Sequence, residues 1–133
     1  MLTTKQDIKE NKFQSALEYL SEYRGVKGVV IFDIEGLVVG YLSQGNFDVE
    51  TFSPLVLLMH DSVNNIIKRL GEMPVQTIAV KTENSWITIR RIGDLMLVVN
   101  ADSETDELLK VRIEQAVDMI KTHLKDKYSL FVK

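Results

Sequence analysis

A chain of 133 residues, 45% apolar and 26% charged, has the length and composition of one globular domain that removes roughly two thirds of its unfolded surface from water, so a single domain over residues 1–133 is expected. Sixteen basic residues stand against 19 acidic ones, a balance that offers no positive field to nucleic acid or to an anionic membrane surface. With no cysteine, disulfides, thiolate catalysis and cysteine zinc sites are excluded.

Residues 4–23 open the chain with Phe13, Ala16, Leu17 and Leu20 at helical spacing and Glu18, Ser21 and Glu22 turned away, the pattern of an amphipathic helix that Gly25 is expected to end as a left-handed cap. Apolar strands follow at 28–32 and 37–42, joined by Asp33-Ile34-Glu35-Gly36, with Asp and Gly at the first and last places of a type I turn. Both strands are apolar at nearly every position, so both faces of their sheet require covering. Residues 48–71 read as a second helix that stops at Gly71 and Pro74. Its start has two readings: Asp48 caps and Pro54 falls inside, or Ser53 caps and Pro54 takes the favoured first position. Strands at 75–82, 85–91 and 95–100 are separated by the two-residue links Glu83-Asn84 and Gly93-Asp94, the spacing of tight hairpins. Residues 102–107 open a third helix, with Ser103 and Asp106 at capping-box spacing. Leu109, Ile113, Ala116, Val117, Ile120 and Leu124 form its apolar stripe before it fades at 126–128.

The longest unbroken apolar runs, 29–32 and 95–99, fall far short of the ~20 residues of a membrane-spanning helix. The first dozen residues are polar and carry no signal-peptide pattern. The expectation is a cytoplasmic protein with neither a membrane nor a nucleic-acid partner.

The element order is α-β-β-α-β-β-β-α. Within it, the run GVKGVVIFDIEGLVVGY at residues 25–41 closely resembles the opening hairpin of the Roadblock dynein-light-chain family, in which Gly-Val-x-Gly precedes an apolar strand, an acidic turn, Gly-Leu and a second apolar strand. The similarity of layout extends over residues 13–124. The resemblance implies an α+β, three-layer, profilin-like architecture: a five-stranded antiparallel sheet in the order 2-1-5-4-3, the central helix on one face and the terminal helices on the other. It also implies a homodimer or heterodimer that pairs two sheets into one, and a role in scaffolding or regulating small Ras-like GTPases or in dynein adaptors.

The residues bear on association independently. If the third strand is an edge, Val75, Gln76, Thr77, Ile78, Ala79, Val80, Lys81 and Thr82 present an unpaired backbone row with no internal proline and one charged deterrent, Lys81. On the central helix, Phe52, Leu55, Val56, Met59, Val63, Ile66, Ile67 and Leu70 share one broad face, the expected core side. Leu57 and Leu58 fall outside it, on a surface shared with Asp61, Asn64, Asn65 and Lys68. Isolated exposed leucines are ordinary, but two adjacent ones point to an interface with a dimer mate or a GTPase.

Catalytic and ligand motifs are missing. No glycine-rich loop ends in Gly-Lys-Ser or Gly-Lys-Thr, so the chain is not expected to hold GTP itself. His60 and His123 lie on different helices without ligand-spaced partners, and each is expected on a helix surface. Asp102, Glu104 and Asp106 alternate as in a calcium loop, but Glu107 and Ile113 stand where glycine and the closing glutamate belong. Asp33 and Glu35 are explained by their turn. Arg24, Arg69, Arg90, Arg91 and Arg112 are the candidates for a guanidinium aimed at a phosphate, with surface salt bridging as their default. No catalytic residue, metal site or cofactor is assigned, and the protein is not expected to be an enzyme. The apolar segment 128–132 is expected to dock on its own domain or on a partner. The leading expectation is a dimeric regulator or scaffold of a small Ras-like GTPase. Its alternatives are a PAS-like sensor of a small ligand, which needs a cavity where the helices carry full-sized apolar residues, and a nucleotide-insensitive adaptor.

Overall fold

The computed structural model describes the backbone of residues 5–45 and 48–132 and the side chains of 13–45 and 48–125. Strands β1 (Val26–Asp33) and β2 (Val38–Ser43) form the first hairpin. Its turn is held by Asp33, whose carboxylate accepts from the Glu35 and Leu37 amides at 2.9 and 3.0 Å. Strands β4 (Ser85–Ile92) and β5 (Leu95–Asp102) turn at Gly93, whose φ of +59° is what the first central place of a type II′ turn requires. With β3 (Thr77–Lys81) they complete an antiparallel five-stranded sheet in the order β2-β1-β5-β4-β3.

Side chains alternate across a strand, and here both sets are apolar, so the sheet carries two cores. Val29, Ile31, Trp86, Leu97 and Val99 pack beneath Ala16, Leu17 and Leu20 of α1 (Lys5–Ser21) and Leu109, Ile113, Ala116, Val117 and Ile120 of α3 (Leu108–Val132). Val30, Phe32, Ile89, Met96 and Val98 pack beneath Val49 and Val56 of α2 (Val49–Arg69). The three layers and the strand order are those the family resemblance implies.

Three local expectations change, and the open choice at the start of α2 is decided. Helix α1 ends at Ser21, and Gly25 serves the turn into β1 that the Val26 amide closes on Tyr23 O at 3.1 Å. A Cβ at Gly25 would lie 2.2 Å from Thr105 Oγ1, and its φ is +102°. At the start of α2, Asp48 is the cap, accepting from Thr51 N at 3.2 Å. Ser53 lies inside the helix, donating to Val49 O at 2.7 Å, and Pro54 follows within the helix. Pro54 and Glu50 are both exposed, so water can reach the Glu50 carbonyl that proline leaves without an amide. Helix α3 starts at Leu108 because Ser103 donates to Glu83 O at 2.8 Å, leaving Asp106 to accept from Leu108 N at 3.0 Å. The same helix continues to Val132 instead of fading at 126–128, while the side chains of 128–132, and hence their docking, lie outside the described residues. The stop of α2 is the expected one: Gly71, with φ +75°, donates to Lys68 O at 3.0 Å and Glu72 N to Ile67 O at 3.4 Å, a Schellman closure.

Candidate protein-interaction surface

The helical phase of α2 determines which of its apolar residues are left over. Its buried residues are Val49, Ser53, Val56 and His60, so the side facing the sheet includes two polar groups. Both are provided for: Ser53 by the Val49 carbonyl, and His60 by Val75 O, 3.2 Å from Nε2. The expected core face is corrected accordingly. Phe52, Val63 and Ile67 are half-buried, but Leu55, Ile66 and Leu70 are each 60% exposed or more, and Met59 is exposed with them. These four recur at helical spacing along one flank of α2. Among the residues assigned to the outer face, Leu58 is 64% exposed, and Asp61, Asn65 and Lys68 are exposed. Leu57 is instead half-buried against the α2-side core, beside Gly36 of the first turn. Asn64 is half-buried, its Oδ1 accepting from Val75 N at 2.8 Å. Solvent therefore meets a larger apolar area than two adjacent leucines, and in a different place.

His60 and Asn64, one helical turn apart, hold both backbone polar groups of Val75 and so fix the approach to β3. That strand is an edge of the sheet. Arg91 N donates to Gln76 O, and Thr82 N to Ser85 O, both at 2.8 Å. Because antiparallel bonds alternate, Gln76, Ile78, Val80 and Thr82 turn their backbone groups to β4. Thr77, Ala79 and Lys81 turn theirs outward. The side chains of Thr77, Ala79 and Lys81 are exposed, and Ile78 and Val80 are half-buried.

The remaining candidates are mostly structural. Arg90 is buried, and its guanidinium grips Glu114 of α3 through two 3.2 Å contacts. Arg91 Nε donates to Gly93 O at 2.9 Å. Arg112 lies 3.8 Å over the Tyr19 ring and donates to Tyr19 O at 2.9 Å, so neither Arg91 nor Arg112 follows the default of a surface salt bridge. His60, expected on a surface, is buried. His123 is half-buried, edge-on to Phe13 at 5.1 Å. Asp102 and Asp106 accept from the Glu104 and Leu108 amides. Tyr23 donates to Asp106 as well, and this bond raises the phenol above its ordinary range, with burial adding to the effect. Thr51, through its hydroxyl and then its amide, lowers the Asp48 carboxyl. Among the described residues no group of three or more His, Asp and Glu converges as metal ligands, and no helix is long and apolar enough to cross a membrane.

The Roadblock/LC7 domain profile matches residues 12–101. No curated protein matches the sequence. Similar solved structures include Myxococcus xanthus MglB, 19% identical with TM-score 0.83 over 95% of each chain. MglB with a tetrameric arrangement is 17% identical, with TM-score 0.80 over 95% of each chain. A Roadblock/LC7 domain from Streptomyces avermitilis is 15% identical, with TM-score 0.73 over 87% of this chain and 97% of that one. At these identities the likeness is one of fold.

Proposed function

The chain belongs to the Roadblock/LC7 domain family, and from that premise we propose that it is a non-enzymatic, homodimeric protein-binding module that regulates or scaffolds a small Ras-like GTPase. The observation that carries the reading is the apolar flank of α2, where Leu55, Met59, Ile66 and Leu70 are exposed together on a sheet that ends in an open strand edge. Contiguous exposed apolar surface marks sites of association, and an unpaired edge is a template for a second strand. A second copy supplies both, pairing β3 with its own β3 and packing α2 against α2. The tetrameric arrangement of one MglB structure is in keeping with self-association on this fold.

The GTPase is the partner that resemblance to Roadblock domains implies. The chain has no phosphate loop of its own, so the nucleotide resides on the partner. Arg90, Arg91 and Arg112 are engaged within the chain while Arg24 and Arg69 are exposed; gripping and reshaping the GTPase, the mode that resemblance to Roadblock domains implies, needs none of the five at the phosphate. Leu58, Asp61, Asn65 and Lys68, on the outermost part of α2, are offered as its contact.

The test is to mix the protein with the small Ras-like GTPases of its host, each loaded with GDP or with a non-hydrolysable GTP analogue, and to measure affinity and hydrolysis rate. The reading predicts binding to at least one GTPase with at least tenfold preference for one nucleotide state. Equal binding to both states would establish a nucleotide-insensitive adaptor instead, and binding to none removes the GTPase from the account.

A further inference from the structure

Among the described residues, the α2 face of the sheet is not covered along its whole extent. One row of paired residues crosses it near the end: Ser43 on β2, Gly28 on β1, Asn100 on β5, Ile87 on β4 and Val80 on β3. Phe52 is the α2 residue that borders this row, and between them lies an open cleft of about 260 Å³. Val30, Ile87, Val98, Gly28 and Asn100 line it from the sheet and Phe52 from α2, with Lys27 and Ser43 also in the lining. Full-sized apolar residues are expected to close the space between helix and sheet, yet at Gly28 the lining has no side chain.

Two features mark the cleft as built for an occupant. The backbone does not demand glycine at 28: its φ lies outside the left-handed region, and an added Cβ would come no nearer than 3.4 Å to Ser43 Oγ, an ordinary contact. Glycine there serves to keep the trough open. The second feature is Asn100, whose Oδ1 is buried and has no hydrogen-bond partner among the described residues. A buried acceptor is unfavourable until a donor reaches it. Lys27 does not reach it, since its ammonium is committed to Asn84 O and Ser85 Oγ, each at 3.1 Å. Among the described residues no carboxylate lines the cleft, and the one cation that does is already bonded, so none of them selects a charged ligand. Ser43 and Asn100 stand two strand spacings apart, roughly 10 Å, which is the breadth of one or two fused rings.

We propose that this cleft binds a small neutral aromatic molecule carrying one N–H or O–H donor, with its ring against Phe52, Val30, Val98 and Ile87, and that the Asn100 amide turns toward the cleft so that its Oδ1 receives that donor. The volume falls just under the usual lower bound of ligand pockets, about 300 Å³, which restricts the ligand to one or two rings. The inference does not depend on the GTPase reading.

Indole is the probe, titrated into the full chain and followed by amide and methyl NMR shifts. The expected result is saturable change centred on Gly28, Ile87, Val98 and Asn100. 1-Methylindole, which lacks the donor, should bind about fivefold more weakly, the worth of one neutral hydrogen bond. Asn100→Leu should erase that difference between the two probes, and Gly28→Ala should weaken both by about tenfold or more, as a methyl group fills the trough, with an otherwise unchanged spectrum. Absence of saturable shifts with indole overturns the proposal, as does equal affinity in Gly28→Ala. A tryptophan-containing peptide that binds here when free indole does not also overturns it, in favour of a partner's side chain.

Discussion

Arg90 faces inward on β4 with its side chain 11% exposed, and its charge is met by Glu114, whose own side chain is 58% exposed. Removing one partner of a fully buried pair costs about 3–5 kcal/mol, but water reaches Glu114 and screens the pair. Glu114→Ala is therefore expected to lower stability by about 1–2 kcal/mol in urea unfolding, while the double change Arg90→Met with Glu114→Gln stays near neutral. A second prediction concerns pH. The bond to Asp106 raises the Tyr23 phenol in the folded state, so the folded chain holds that proton where the unfolded chain, with its ordinary value of about 10, has released it. The stability this contributes is complete below about pH 10 and is lost as pH rises through the folded value. Tyr23→Phe should flatten the alkaline side of the stability profile; a profile identical to that of the unaltered protein sinks the assignment. In the sequence Arg90 was legible only as one of five candidate arginines, because its partner is 24 residues away on another element.

At the scale of elements, strands and hairpins were legible because their signals are local: alternation, an aspartate that binds the amides of its own turn, a glycine at a required positive φ. The phase of α2 was not. Apolar residues occupy so much of its circumference that its pattern allows more than one buried face, and the choice is made by contacts distant in sequence. His60 can face the core because Val75 O receives it, and Asn64 turns inward to meet Val75 N. Those contacts leave Leu55, Met59, Ile66 and Leu70 outside. Leu55→Glu with Ile66→Glu should leave the circular dichroism spectrum and unfolding midpoint at low concentration unchanged while halving the mass in solution. Leu57→Ala should do the reverse, keeping the mass and losing about 1–2 kcal/mol as a half-buried leucine is truncated. If the glutamates unfold the chain, the flank belongs to the core and the phase given for α2 is wrong. The start of α3 shows the same limit: Ser103 had capping spacing, but its hydroxyl goes to Glu83 O across the molecule.

For the whole molecule, family and architecture were legible in the order of elements and in the residue 25–41 hairpin, which proves to be a turn, the core strand β1 and the half-buried edge strand β2. The surface proposed for association lies elsewhere, along the flank of α2 and the edge of β3. Ala79 sits where the backbone amide points away from β4, so Ala79→Pro removes a donor from the open edge and none from the sheet's own ladder. Multi-angle light scattering of the unaltered chain and of Ala79→Pro, each checked for unchanged thermal unfolding of the monomer, tests the interface most directly. Twice the chain mass is expected for the first and a single chain mass for the second. A single chain mass for the unaltered protein at micromolar concentration, or an intact dimer of Ala79→Pro, would contradict that interface.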